Sequence, residues 1–218
     1  MRQPSKLTIP ALCVLSLSLL SACDSDTGSP AAAGSDSSIE RLTPAIDDLV
    51  PADARIEKLA GDFRFTEGPV WDRRNNQLYF SDLIGNAIYT WSDTDGLATF
   101  MQPVYEDDSE HTMVGSNGLT LDDQGRLLLM EHGNRVISRI ETDGSRTILA
   151  ERYGDSRFNS PNDSVWHSNG WLYFTDPPYG LAGGDQDPEK ELNFNGIYRL
   201  YPATGEVQLL ASHQSRPN

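Results

Sequence analysis

Along the chain, a polar opening is followed by two short apolar runs, and the plan repeats. Glu67-Gly68-Pro69-Val70-Trp71 leads to Leu78-Tyr79-Phe80-Ser81-Asp82. Asn117-Gly118-Leu119-Thr120-Leu121 leads to Arg126-Leu127-Leu128-Leu129-Met130-Glu131. Ser160-Pro161-Asn162-Asp163-Ser164-Val165-Trp166 leads to Trp171-Leu172-Tyr173-Phe174-Thr175-Asp176. Short runs rich in aromatic and β-branched residues, separated by Asn, Asp, Ser and Gly, predict strand, turn and strand. A third alternating strand is predicted at residues 87–91, 135–140 and 197–201, and a fourth at 97–101, 146–150 and 207–211. Glu67, Asn117 and Asn162 lie 50 and 45 residues apart, while the acid closing each second strand follows its opening residue by 15, 14 and 14. Constant spacing inside a variable period marks a repeated unit with loop insertions. Four short strands in a unit of about 45 residues predict an all-β fold of β-propeller blades, which bury their apolar faces only by stacking on one another.

The N-terminus follows a different pattern. Residues 1–6 carry two positive charges and residues 7–20 are apolar, with a few Ser and Thr. This predicts a signal peptide over residues 1–22, too short to span a bilayer as a stable helix. Leu20-Ser21-Ala22-Cys23 looks like a bacterial lipobox, in which Cys23 is acylated and becomes the mature N-terminus; ordinary secretory cleavage near Ala22 is the alternative. Cys13 lies in the removed part, so a lipidated mature chain has no pair of cysteines for a disulfide. Residues 23–53, rich in Ser, Ala, Gly, Asp and Pro, predict a flexible tether, and residues 54–218 the propeller blades. The expected location is the bacterial cell envelope, on the periplasmic side of the inner or outer membrane. The 165 residues of the last segment make three blades and the opening of a fourth, and closed propellers have about 4 to 8. The chain therefore reads as C-terminally incomplete. Residues 54–60 alternate like an outer strand that completes a last blade.

Charge narrows the partners. The chain has 17 basic and 32 acidic residues, and residues 1–22 hold Arg2 and Lys6 but no acid, so cleavage makes the balance more acidic still. Such a chain repels nucleic acid. The acidic runs Glu106-Asp107-Asp108 with Glu110, and Asp185, Asp187, Glu189 and Glu191, read as solvated loop charge.

The polar openings, together with Glu131-His132-Gly133-Asn134-Arg135 and Phe174-Thr175-Asp176-Pro177-Pro178-Tyr179-Gly180, resemble the gluconolactonase branch of the senescence marker protein, gluconolactonase and luciferin-regenerating-enzyme superfamily. Each motif is weak alone, but five in order at blade spacing are specific. The resemblance covers residues 55–218 and implies a six-bladed propeller in the full protein, with about three blades here. It also implies a divalent cation, usually calcium, in the central channel, hydrolysis of sugar lactones, and a monomer with a small lactone or ester as its partner. By position, Glu67, Asn162 and Asn218 are similar to metal ligands; Asn117, Asn162 and Glu131 to substrate-binding residues; and Asp163 and His132 to groups that handle protons. The principal base, in a later Pro-Asp-Gly loop, falls beyond Asn218, so this stretch by itself is expected to be inactive.

The residue chemistry agrees with that expectation. One carboxylate and several amides converging on a propeller axis suit a hard cation that takes 6 to 8 oxygens. The four histidines are scattered and no metal-binding His or Cys motif occurs, so nothing favours zinc. No Gly-x-Ser-x-Gly elbow is present for a serine nucleophile. Two readings stand beside lactonase: a catalytically silent, membrane-anchored binding scaffold, and an arylesterase or phosphotriesterase on the same metal site. Asp82 and Asp176, at strand ends, are expected to bond to their own backbone turns.

Overall fold

The computed structural model describes residues 39–106 and 111–218. The signal peptide, Cys23 and most of the predicted tether lie outside the described residues. Residues 39–58 hold a short 3-10 turn, Pro44–Asp48, with Arg41 Nη1 donating to Asp47 Oδ1 at 2.6 Å. Among the described residues no helix is long and apolar enough to cross a membrane.

The compact unit, Leu59–Asn218, holds three antiparallel four-stranded sheets. Blade 1 is β1 (Thr66–Asp72), β2 (Gln77–Asp82), β3 (Ala87–Ser92) and β4 (Gly96–Met101). Blade 2 is β5 (Ser116–Leu121), β6 (Leu127–Glu131), β7 (Val136–Ile140) and β8 (Arg146–Ala150). A two-stranded ribbon, β9 (Arg152–Tyr153) with β10 (Ser156–Arg157), leads to blade 3, made of β11 (Ser164–Trp166), β12 (Leu172–Asp176), β13 (Gly196–Tyr201) and β14 (Glu206–Ala211). Each sheet pairs its strands in sequence order, so the three predicted blades are found with every strand in its place. Residues 54–60 differ from expectation: they are irregular, because an outer strand forms only where another blade offers a ladder, and none does among the described residues.

Stacking explains why β6 reads as an unbroken apolar run. Its alternate side chains serve two cores: Leu127 and Leu129 join Ile88, Val104, Leu119 and Ile140 on the blade 1 side, while Leu128 and Met130 join Ile137, Phe158, Phe174 and Tyr198 on the blade 3 side. Each of these buried side chains contributes about 1.5–3 kcal/mol of hydrophobic stabilisation. Trp71 in blade 1 and Val165 in blade 3 remain 42% and 65% exposed.

The crossover from blade 1 to blade 2 is held by Asn86, which occupies a left-handed turn at φ 53°. Its Oδ1 accepts the Val104 and Tyr105 amides at 3.1 and 3.0 Å, and its Nδ2 donates to the Tyr105 carbonyl at 2.8 Å. These bonds fix the path of the chain toward β5.

Candidate functional site

The openings of the three inner strands lie side by side because glycines let their backbones touch. Gly68, at φ +57°, faces the blade 2 opening so closely that a Cβ there would come within 2.3 Å of the Asn117 carbonyl oxygen. Gly118 faces the blade 3 opening: its amide donates to the Asn162 carbonyl at 2.7 Å, and a Cβ would lie 2.5 Å from Asp163 Oδ1. Glu67 and Asn117, each the second residue of its strand, and the Asn162-Asp163 pair, just before β11, thus sit at three adjacent openings at one end of the sheets. The ladders slip at the same places, between Glu67 and Val70 and between Ser116 and Leu119. Such bulges re-aim a side chain that a regular ladder would fix in the pleat.

The loops are also pinned from behind. Asp82 accepts the amides of Arg64 (3.0 Å) and Phe65 (2.9 Å), and Asp176 accepts those of Asn159 (2.8 Å) and Ser160 (2.8 Å). In both blades these amides belong to the residues three and two positions before the opening residue, Glu67 or Asn162. Asp82 also caps its own turn through the Gly85 amide at 2.9 Å, as expected, but its bonds to the incoming loop were not anticipated from sequence. Their one sequence signal is the recurrence of an acid 15 and 14 residues after the opening. Asp176 is fully buried, and burial pushes its carboxyl up to about 7, against the pull of the two amides and the more distant Arg135 and Lys190.

The expected site residues occupy distinct environments. Asn162 is 1% exposed and its Oδ1 is buried without a hydrogen-bond partner. Asn117 is buried, Glu67 is half-buried, and the Glu67 carboxylate has no hydrogen bond or ion pair among the described residues. Asp163 is exposed; its Oδ1 accepts the Ser164 amide at 2.8 Å, leaving Oδ2 open. Asn218 is exposed, and no hydrogen bond ties it to the other three loops.

Glu131 is turned into blade 2, where it accepts Ser138 Oγ and Asn134 Nδ2 and pairs with Arg146 Nη1 at 3.3 Å. Burial raises its pKa, and the Ser138, Arg146 and Asn134 contacts offset part of the rise. His132 is fully buried and both ring nitrogens lack hydrogen-bond partners. Burial lowers its pKa to about 4; the nearby Met113 carbonyl opposes the shift without reaching hydrogen-bond geometry, and His111 adds to it.

No group of three His, Cys, Asp or Glu side chains spaced to hold a metal occurs among the described residues. The available donors are instead the carboxylates of Glu67 and Asp163 and amide oxygens. An orphaned buried amide oxygen and a free carboxylate, on the third and first of three adjacent openings, are the donor types of a hard oxygen-seeking cation. They do not fit zinc.

Propeller blades that present an amide, a free carboxylate and an exposed acid at one end define a class, the oxygen-lined propeller site. Residues 65–218 match the model of the SMP-30/Gluconolactonase/LRE-like region, and the chain belongs to this family. It is 35% identical over 185 residues to a gluconolactonase of Zymomonas mobilis, covering 83% of this chain and 52% of that protein. Among solved structures, one X-ray structure assigned to gluconolactonase matches at 33% identity with a TM-score of 0.70, over 81% of this chain and 59% of the other. A gluconolactonase from Xanthomonas campestris, described as important in glucose secondary metabolic pathways, matches at 33% identity with a TM-score of 0.59, over 69% of this chain and 48% of the other. The chain spans about half the length of these relatives.

Proposed function

We propose that the protein is a divalent-cation-dependent lactonase that opens the ring of sugar lactones, with calcium as the cation. The observation that carries this reading is the buried, unpartnered Oδ1 of Asn162, on a loop packed against the Asn117 opening, which in turn packs against the Glu67 opening. An amide oxygen left without a partner in a protein interior costs about 1–3 kcal/mol, a cost that a bound cation removes. Glu67, Asn162 and, by position, Asn218 are the residues that would hold the ion. When bound, the cation supplies Lewis-acid polarisation of the lactone carbonyl.

The chain's own groups divide the remaining work. Asn117 orients the substrate from the neighbouring strand opening. Asp163 Oδ2, open at the start of the inner strand, accepts a proton from the attacking water among the residues present here. His132, enclosed and neutral at ordinary pH, supports the loop packing. The two gluconolactonase relatives at 33–35% identity support the same reaction class.

The test is hydrolysis of glucono-δ-lactone by the full-length protein, with and without chelator, alongside calorimetric titration of calcium. Chelation should abolish turnover, and Glu67→Gln should weaken calcium binding at least tenfold, because it removes the charged ligand. Turnover that ignores chelator and an unchanged calcium affinity in Glu67→Gln would overturn the reading.

We also propose that the protein is lipid-anchored at the cell envelope, a reading supported by the Leu20-Ser21-Ala22-Cys23 run. Incorporation of labelled palmitate that disappears in Cys23→Ser checks this; equal labelling of the variant refutes it.

A further inference from the structure

A cavity of about 470 Å³ opens beside the site, walled by Tyr105, His111, Gly133, Arg135, Gly180 and Asp187 among others. Arg135 is an unusual wall residue. It is 3% exposed and sits in a left-handed turn at φ 59°, a conformation that Gly or Asn adopts at lower cost. Its Nε donates to the Phe158 carbonyl at 2.7 Å and its Nη1 to the Glu189 carbonyl at 3.1 Å, but Nη2 is buried with no partner. No carboxylate lies within 4 Å of the guanidinium among the described residues. Nε2 of His111 is likewise buried and unpartnered. Leaving charged and polar nitrogens unpaired in an interior is costly. Two on one cavity wall point to a ligand that completes them.

The surrounding charges decide which ligand fits. Asp187 and the exposed Glu189 also line the cavity, and Asp187 accepts the Gly183 and Glu189 amides at 2.7 and 2.9 Å. A carboxylate ligand would meet these acids at close range. A hydroxyl group, which both donates and accepts, suits a guanidinium, an imidazole and acids together.

The cavity is also close to the reaction site. Gly180 packs on His132 and on Ser160, where a Cβ would come within 2.7 Å of Ser160 Cβ, and Ser160 is two residues, at most about 7 Å of chain, from Asn162. Arg135 and His111 both line the cavity, and their orphaned nitrogens are covered rather than open to it. A ligand hydroxyl can reach them only if the cavity wall, which includes Gly180, Leu181, Ala182 and Gly183, gives way.

We propose that this cavity receives the hydroxylated part of a polyol lactone, with Arg135 Nη2 donating to one hydroxyl and His111 Nε2 meeting another. This inference rests on the lactonase reading and makes Arg135 and His111 specificity-determining residues for polyhydroxylated over unsubstituted lactones.

The test compares kcat/KM for glucono-δ-lactone and δ-valerolactone, which has the same ring without hydroxyls, and titrates xylitol calorimetrically. Arg135→Gln and His111→Phe should each lower the preference for the hydroxylated lactone about tenfold and weaken xylitol binding by a similar factor, the usual effect of one lost hydrogen bond. An unchanged preference ratio with unchanged xylitol affinity overturns the proposal. Arg135 also holds two carbonyls, so Arg135→Gln risks misfolding; His111→Phe, with its melting temperature checked against wild type, keeps the proposal open to refutation. If the wild type hydrolyses neither lactone, the lactonase reading fails. The xylitol titration then judges the cavity alone: binding lost in both variants supports it, and equal or absent binding in all three proteins rejects it.

Discussion

Blades 1 and 3 carry their incoming loops differently from blade 2, although all three close the second strand with an acid. In blades 1 and 3 an aspartate turns toward the loop and accepts two of its amides. In blade 2 the matching amide, that of Gly115, is instead taken by the Leu83 carbonyl at 3.1 Å. The Val114 and Gly115 carbonyls, at the matching positions before Asn117, accept the Gly133 and His132 amides at 3.0 and 3.1 Å. The Phe65 carbonyl of blade 1 likewise accepts the Leu83 amide, at 2.9 Å, so the carbonyl bond is common to both blades; with the Gly115 amide already taken, Glu131, one methylene longer, turns inward to Ser138, Asn134 and Arg146. Residues at equivalent positions in a repeat are therefore not equivalent in role. Whether a loop amide is free to meet the acid decides whether the acid positions the site or braces the blade.

Removing Asp176 should have the largest effect. Asp176→Ala leaves the buried amides of Asn159 and Ser160 without an acceptor, at about 1–3 kcal/mol each, so we expect a loss of about 3–5 kcal/mol in denaturant unfolding. Calcium affinity should fall at least tenfold as the Asn162 loop loses its anchor. Glu131→Ala should also destabilise the protein but leave calcium affinity within about twofold, because Glu131 holds no part of an opening loop. If both substitutions weaken calcium equally, the distinction between the blades is lost.

Asp82→Ala probes the same clamp where it is only part-buried. Water can replace the lost acceptor for Arg64 and Phe65, so the expected cost is about 1 kcal/mol. The calcium affinity should still fall, by about threefold, through looser placement of Glu67. A cost as large as that of Asp176→Ala would show that burial does not set the difference.

The strands were legible in the sequence because each carries its own signal. Spacing from Glu67, Asn117 and Asn162 places every inner strand, and the aromatic and β-branched runs mark the second strands. The side-by-side arrangement of the openings was not legible. It depends on Gly68 and Gly118 admitting a neighbouring backbone, a contact between residues about 50 positions apart. The roles of Asp82, Asp176 and Glu131 were hidden for a related reason: sequence shows an acid at the end of each second strand, but not whether the facing loop amides are free to meet it. Arg135 was visible only as the last letter of a motif, since its burial comes from the loop that packs over it between β12 and β13.

The smallest effect expected is on pH dependence, where Asp176 and His132 oppose each other. The folded-state pKa of Asp176, about 7, lies above its ordinary 3.8, so the folded protein holds the extra proton between these values and this group's contribution to stability falls as pH rises through them. The His132 pKa, about 4, lies below its ordinary 6.5, so the unfolded chain holds the extra proton and stability falls as pH drops from 6.5 toward 4. The windows overlap and the slopes have opposite sign. Relative to wild type, Asp176→Asn should therefore gain stability as pH rises from 4 to 7, and His132→Gln should lose stability as pH rises from 4 to 6.5. Each difference is limited to about 1.4 kcal/mol per pH unit, one proton's worth. Urea unfolding of the three proteins across this range measures the differences directly, since groups common to all of them cancel. Parallel profiles would mean that neither group changes its protonation on unfolding, and the pinning carboxylate of blade 3 would then be charged throughout, like an exposed one.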